Sequence, residues 1–173
     1  TMTSIVEALG LALPGSTAIP AMDAGHTRMA TTCGERIVQM VWDDLTPAAI
    51  LTRGAFMNAA AVQMALGGST NAAVHIIAMA RRAGIELTLD DLDAVGRKVP
   101  VLANLFPSGD RLMEDFHYAG GLPALMTRLL PHLSLAERSV NGKSLGQNLD
   151  GVQVLDAAVI RPVNNPVSAN GAL

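Results

Sequence analysis

The chain has 173 residues, half of them hydrophobic but only 3% aromatic, and a formal net charge of −3. That length suffices for one domain with a sizeable core, and the apolar mass of Ala, Leu, Val, Ile and nine Met suits close helix packing with flexible gap-filling. No basic stripe gives reason to expect nucleic acid, no apolar run reaches transmembrane length, no signal-peptide pattern opens the chain, and the single Cys33 excludes an internal disulfide framework and fits a reducing cytoplasm.

Met2, Ile5, Val6, Leu9 and Leu13 follow roughly helical spacing and predict a helix over 1–12, ended by Leu13-Pro14-Gly15. The pattern begins in mid-helix, and Asn170-Gly171-Ala172-Leu173 closes no element, so the sequence reads as an internal piece of a longer protein. Residues 16–21 read as a loop. Asp23 is expected to cap a long helix to about Asp44, with Ile37, Val38, Val41 and Leu45 on its buried face. Thr46-Pro47 opens a short helix, and 53–66 reads as another, with Phe56, Ala60 and Met64 in register.

Gly67-Gly68-Ser69-Thr70-Asn71 comes next, followed by an almost wholly apolar helix over 70–83 that Gly84 closes. A helix with no wet face belongs inside a protein, so its N-terminus is expected to form the floor of a polar site set in a core. An acidic helix starts at Leu89-Asp90-Asp91. Val99-Pro100-Val101-Leu102-Ala103-Asn104-Leu105 is the best strand, confined by Pro100 to an edge or a strand start. Helices over 112–119 and 122–130 flank Gly120-Gly121, and the tail from Ser139 reads as a connector.

Several groups invite a chemical reading beside a plain one. Ser69 or Thr70 caps a helix, or the hydroxyls and the free helix N–H groups bind an anion such as a substrate carboxylate. Gly67-Gly68 allows close backbone approach, as a tight turn also requires. Asn71 and His75 share a helix face, as a satisfied core pair or as the lining of a cavity. Glu114, Asp115 and His117 can bind metal or move protons, although acidic residues also suit a helix N-terminus. Cys33 has no second cysteine to help hold a cluster, so packing is its expected role.

Gly67-Gly68-Ser69-Thr70-Asn71, Arg97-Lys98-Val99-Pro100-Val101-Leu102-Ala103, Pro107-Ser108-Gly109, Leu112-Met113-Glu114-Asp115-Phe116 and Ala119-Gly120-Gly121-Leu122-Pro123-Ala124 occur in one order. With Glu7-Ala8-Leu9-Gly10-Leu11 and Leu13-Pro14-Gly15, this ordered set resembles the dihydroxy-acid and sugar-acid dehydratase family over essentially the whole chain. Ala24-Gly25-His26-Thr27-Arg28-Met29 through Val41-Trp42-Asp43-Asp44-Leu45-Thr46-Pro47 leans toward the arabinonate-type sugar-acid branch, with the branched-chain amino acid branch as the near alternative.

The resemblance implies an α/β, helix-rich fold: residues 1–138 as part of the N-terminal domain of a two-domain dehydratase, and 139–173 as the connector toward a β-barrel-like C-terminal domain. It implies a cytoplasmic hydro-lyase that converts a 2,3-dihydroxy sugar acid to a 2-keto-3-deoxy acid, with an iron–sulfur cluster of the 2Fe-2S type and Mg2+, working as a homo-oligomer, a dimer or tetramer. The family's cluster cysteines and its magnesium-binding acidic and lysine residues lie upstream of this segment, a further glutamate lies downstream, and its serine base belongs to the domain after Leu173. No catalytic or metal residue therefore carries over, and Cys33 matches no cluster position. Ser69, Thr70 and Asn71, with Glu114 and His117, carry over as substrate-pocket lining. A non-catalytic helical module that kept the scaffold is the competing reading.

Overall fold

The computed structural model describes residues 1–171. Eight α-helices follow in chain order: α1 (Met2–Ala8), α2 (Ala24–Trp42), α3 (Arg53–Ala65), α4 (Thr70–Arg82), α5 (Leu89–Gly96), α6 (Met113–Tyr118), α7 (Gly121–Arg128) and α8 (Leu145–Leu149). None of them is long and apolar enough to cross a membrane.

The centre of the fold is α3. Thr52 caps it by accepting from the Ala55 N–H at 3.1 Å, and every residue from Phe56 to Ala65 except Met57 is buried. Four alanines in that span let neighbouring helices approach closely, and α1, α4, α5 and α7 all pack on it. The two polar residues in this stretch are given work. Asn58 donates to the Ser134 carbonyl at 3.0 Å and accepts from the Ser134 N–H at 2.7 Å, which ties the 134 loop to the core. Gln63 donates to the Ser69 carbonyl at 3.3 Å.

Helix α1 is shorter than the predicted 1–12 span. Gly10, at φ +81°, turns the chain left-handed, and the Leu11 N–H reaches back to the Val6 carbonyl at 3.0 Å, a helix stop that precedes Leu13-Pro14-Gly15. The stop is anchored by the buried Glu7, whose carboxylate accepts from the Gly15 N–H at 2.7 Å, the Thr17 N–H at 3.1 Å and the Thr17 hydroxyl.

Helix α2 does begin at an Asp23 cap, with the Gly25 N–H donating to the carboxylate at 2.6 Å. Its expected buried face is corrected: Ile37, Val38 and Val41 are exposed, Met40 is its one buried residue, and Leu45 is buried just past its end. Periodicity marked the apolar side correctly, but no element among the described residues covers it. The expectation that the 70–83 helix lacks a wet face is corrected in the same way. Helix α4 packs on α3 and α5 through Ala72, Ala73, Ile76 and Ala80, while Val74 on the other side is 66% exposed.

The 99–105 segment is extended but builds no strand ladder. It makes isolated antiparallel bridges, Val101 to Ser168 and Ala103 to Ile160, and a parallel one from Leu105 to Arg111. The reason lies at the end of α3: the Leu102 and Ala103 N–H groups both donate to the Ala65 carbonyl, at 2.9 and 3.0 Å, and so satisfy an otherwise orphaned helix acceptor. The tail from Ser139 runs back over the helices. Val140 donates to the Gly10 carbonyl, Leu155 to Ala119 and Arg161 to Leu102, and Val159 and Ile160 are buried in the main core. Ala172 and Leu173, the end of the expected connector, lie outside the described residues.

Burial pushes the Glu7 carboxyl above the ordinary glutamate value of 4.5, a cost that its three hydrogen bonds only partly offset. The native state therefore holds this proton to higher pH than the unfolded chain does. The stability it contributes is fully present below the unfolded value and is lost as pH rises through the raised native one. Glu7→Gln is expected to flatten that slope in urea midpoints measured across the acid range. It also leaves the Thr17 donors short of an acceptor and costs about 1–3 kcal/mol.

Candidate functional site

The Gly-Gly pair ends α3 by a specific chain reversal. Gly67, at φ +65°, donates to the Met64 carbonyl at 3.1 Å, and Gly68 donates to the Gln63 carbonyl at 2.9 Å, the paired bonds of a Schellman stop. Only glycine takes that φ cheaply. The second glycine is required for a different reason. A Cβ on Gly68 would lie 2.8 Å from both the Gln63 Cγ and carbonyl oxygen, and 3.0 Å from the Thr1 Cγ2. The turn is thus pressed between the end of α3 and the start of α1.

Ser69 then stands at the N-cap of α4 in extended conformation, yet its hydroxyl makes no capping bond. Its carbonyl accepts from the Ala72 N–H at 2.9 Å. Among the described residues, no acceptor takes the N–H groups of Thr70 or Asn71. The capping reading of Ser69 therefore fails on geometry, and the first turn of α4 keeps free donors.

These groups border a cleft of about 440 Å³, lined by Thr1 and Ser4 from α1 and its cap, the Leu66–Ser69 turn, Leu105 to Ser108, and Met113. The 105–111 loop is held in place by Asn104, whose amide donates to the Asp110 carboxylate at 2.7 Å and to the Ala158 carbonyl at 3.1 Å. The Gly109 N–H donates to the Leu105 carbonyl at 2.7 Å, which curls the loop tightly. Ser108 is brought against the turn: its Oγ lies 3.2 Å from where a Cβ on Gly67 would sit.

The residues singled out from sequence separate in space. Ser69 lines the cleft, and Thr70 and Asn71 follow it at the exposed start of α4. Asn71 and His75 are both exposed, so the pair is neither a core pair nor the lining of an enclosed cavity here. The site is accordingly an open cleft at the surface of the described residues. Glu114 is exposed and His117 half-buried on α6, with the His117 ring tilted against Tyr118 at 5.2 Å. Neither borders the cleft, although their neighbour Met113 does. Asp115, by contrast, has a structural task, accepting from the Leu112 N–H at 2.9 Å. Cys33 is exposed on α2.

Two lining residues, Ser4 and Ser108, were not singled out as site residues. The available signal was a lone serine beside Ile5 on the apolar side of α1, and a serine between the turn-formers Pro107 and Gly109.

Residues 1–148 match the family model described as dihydroxy-acid/6-phosphogluconate dehydratase N-terminal. The chain is 54% identical to a 6-deoxy-6-sulfo-D-gluconate dehydratase of Pseudomonas putida, with 96% of this chain and 29% of that protein covered. It is 46% identical to an L-arabinonate dehydratase of Rhizobium leguminosarum bv. trifolii, covering 96% of this chain and 29% of that protein. It is also 45% identical to a dihydroxy-acid dehydratase of Caldicellulosiruptor bescii, covering all of this chain and 32% of that protein. The chain thus spans roughly a third of the length of the curated relatives it matches.

The turn's two glycines should respond differently from an open one. Gly68→Ala is expected to cost about 1–3 kcal/mol by overpacking, and Gly67→Ala about 1–2 kcal/mol by left-handed strain. Gly34→Ala, in α2 with nothing within 4 Å of its would-be Cβ, should stabilise by about 0.5–1 kcal/mol. Equilibrium denaturation of the three variants checks the order.

Proposed function

The chain belongs to the dihydroxy-acid/6-phosphogluconate dehydratase family, and on that premise we propose that it forms part of a hydro-lyase that removes water from a 2,3-dihydroxy sugar acid to give a 2-keto-3-deoxy acid. The observation that carries the proposal is the match over residues 1–148 together with relatives named for dehydration of two sugar acids and of a dihydroxy acid. The sugar-acid branch is favoured by the 54% identity to the sulfogluconate enzyme. A branched-chain dihydroxy acid is the second reading, supported by the 45% identity to the dihydroxy-acid dehydratase.

Dehydration of this kind needs a Lewis acid to help hydroxide leave, a base for the proton beside the carboxylate, and a cation for the developing enolate. An iron–sulfur cluster and magnesium would supply that chemistry in the whole enzyme. This segment does not fit either group. A cluster is held by several thiolates, whereas the chain's one cysteine is exposed on α2. The described residues also bring no three His, Cys, Asp or Glu side chains together. The part left to this segment is to hold and orient the acid, with Ser69, Thr70 and Asn71 as its contacts, while Glu114 and His117 lie outside the cleft. This reading carries with it a cytoplasmic homo-oligomer.

The full-length protein, assayed for 2-keto acid release against a panel of sugar acids and a branched dihydroxy acid, is expected to turn over at least one sugar acid. The isolated 173-residue chain should turn over none. Release of keto acid by the isolated chain, or a full-length protein active on the branched acid alone, would overturn the respective part.

A further inference from the structure

One hydroxyl bordering the cleft has no hydrogen-bond partner among the described residues. Ser4, on α1, is 1% exposed and lines the cleft, and its Oγ makes no hydrogen bond. Burying a hydroxyl unpaired is unfavourable, and removing it outright is often neutral or stabilising. A serine kept in such a place is most simply explained by an acceptor that arrives from outside.

The surroundings say what kind of acceptor. Across the cleft the Ser69 hydroxyl is uncommitted, and the Thr70 and Asn71 N–H groups at the positive end of the 13-residue α4 lack acceptors. The Ser108 Oγ stands over Gly67, where any side chain would crowd it. All of these can donate, and among the described residues no Lys, Arg, Asp, Glu or His side chain borders the cleft. A doubly charged phosphate is ordinarily met by Arg or Lys. Hydroxyls and helix amides alone suit a single negative charge.

We propose that this cleft is a neutral oxyanion site, in which the hydroxyls of Ser4, Ser69 and Ser108 and the first amides of α4 bind a singly charged end group, carboxylate or sulfonate, of an acyclic sugar acid. Ser4 and Ser108 are then substrate-binding residues, and where the bound end is the sulfonate the site selects against an acid phosphorylated at that end. This rests on the sugar-acid reading of the whole protein, and its test is built so that the two can fail separately.

The test uses the full-length protein and its Ser4→Ala and Ser108→Ala variants. First, melting temperatures are compared with methanesulfonate or acetate against chloride at equal ionic strength. The wild type should be stabilised by at least one of the two anions, and both variants should lose most of that shift. Ser4→Ala without anion should melt no lower than the wild type. Second, KM and kcat are measured for gluconate, 6-deoxy-6-sulfogluconate and 6-phosphogluconate. Both variants should raise KM by about tenfold with kcat within about threefold. A rise confined to the sulfo acid assigns the sulfonate end, and a rise with every acid that is turned over assigns the carboxylate end. If no acid is turned over, the sugar-acid reading fails while the anion shifts still decide the site. If Ser4→Ala does not fold, the Ser108→Ala results decide it. Anion shifts and KM values equal to wild type in both variants would overturn the proposal.

Discussion

The fold depends on one helix being buried on all sides. From Phe56 to Ala65, α3 gives its surface to four other helices, and its alanines set how closely they come. That burial forces an unusual demand on its ends, because a helix terminus inside protein must find partners for its free backbone groups. At the C-terminal end, two N–H groups of the 99–105 segment meet the Ala65 carbonyl, and the Gly67-Gly68 reversal satisfies the Gln63 and Met64 carbonyls. The same constraint that stops α3 therefore delivers Ser69 and the start of α4 to one place, beside the start of α1.

This gives the cleft its character. Its walls are the start of one helix, the end of another, the start of a third and a loop pinned by Asn104, so its polar groups are hydroxyls and backbone amides. Among the described residues no Lys, Arg, Asp, Glu or His side chain borders it. On the function proposed above, this segment positions the acid while the rest of the enzyme supplies thiolates, metal ligands and base.

Much of this was legible in the sequence, because the signals were local. The Gly-Gly turn and the Asp23 cap are written in adjacent residues, and the ordered motifs led to the family. What was not legible was non-local. The apolar residues of α2 and α4 declare a face, but periodicity says nothing about what covers it, and Ile37, Val41 and Val74 are exposed. Val99 to Leu105 has strand composition, yet two of its donors go to a helix end. The site was half-read for the same reason. Ser69 sits inside its motif, whereas Ser4 and Ser108 reach the cleft only through tertiary packing, from positions 65 residues before and 39 residues after Ser69 in the chain.

The most direct test of the central claim is a crystal structure of the full-length protein with a sugar acid bound. An oxyanion of that acid is expected within hydrogen-bond distance of the Ser4 and Ser108 Oγ atoms and of the Thr70 or Asn71 N–H. A well-ordered sugar acid bound elsewhere, with no oxyanion among those donors, would contradict it.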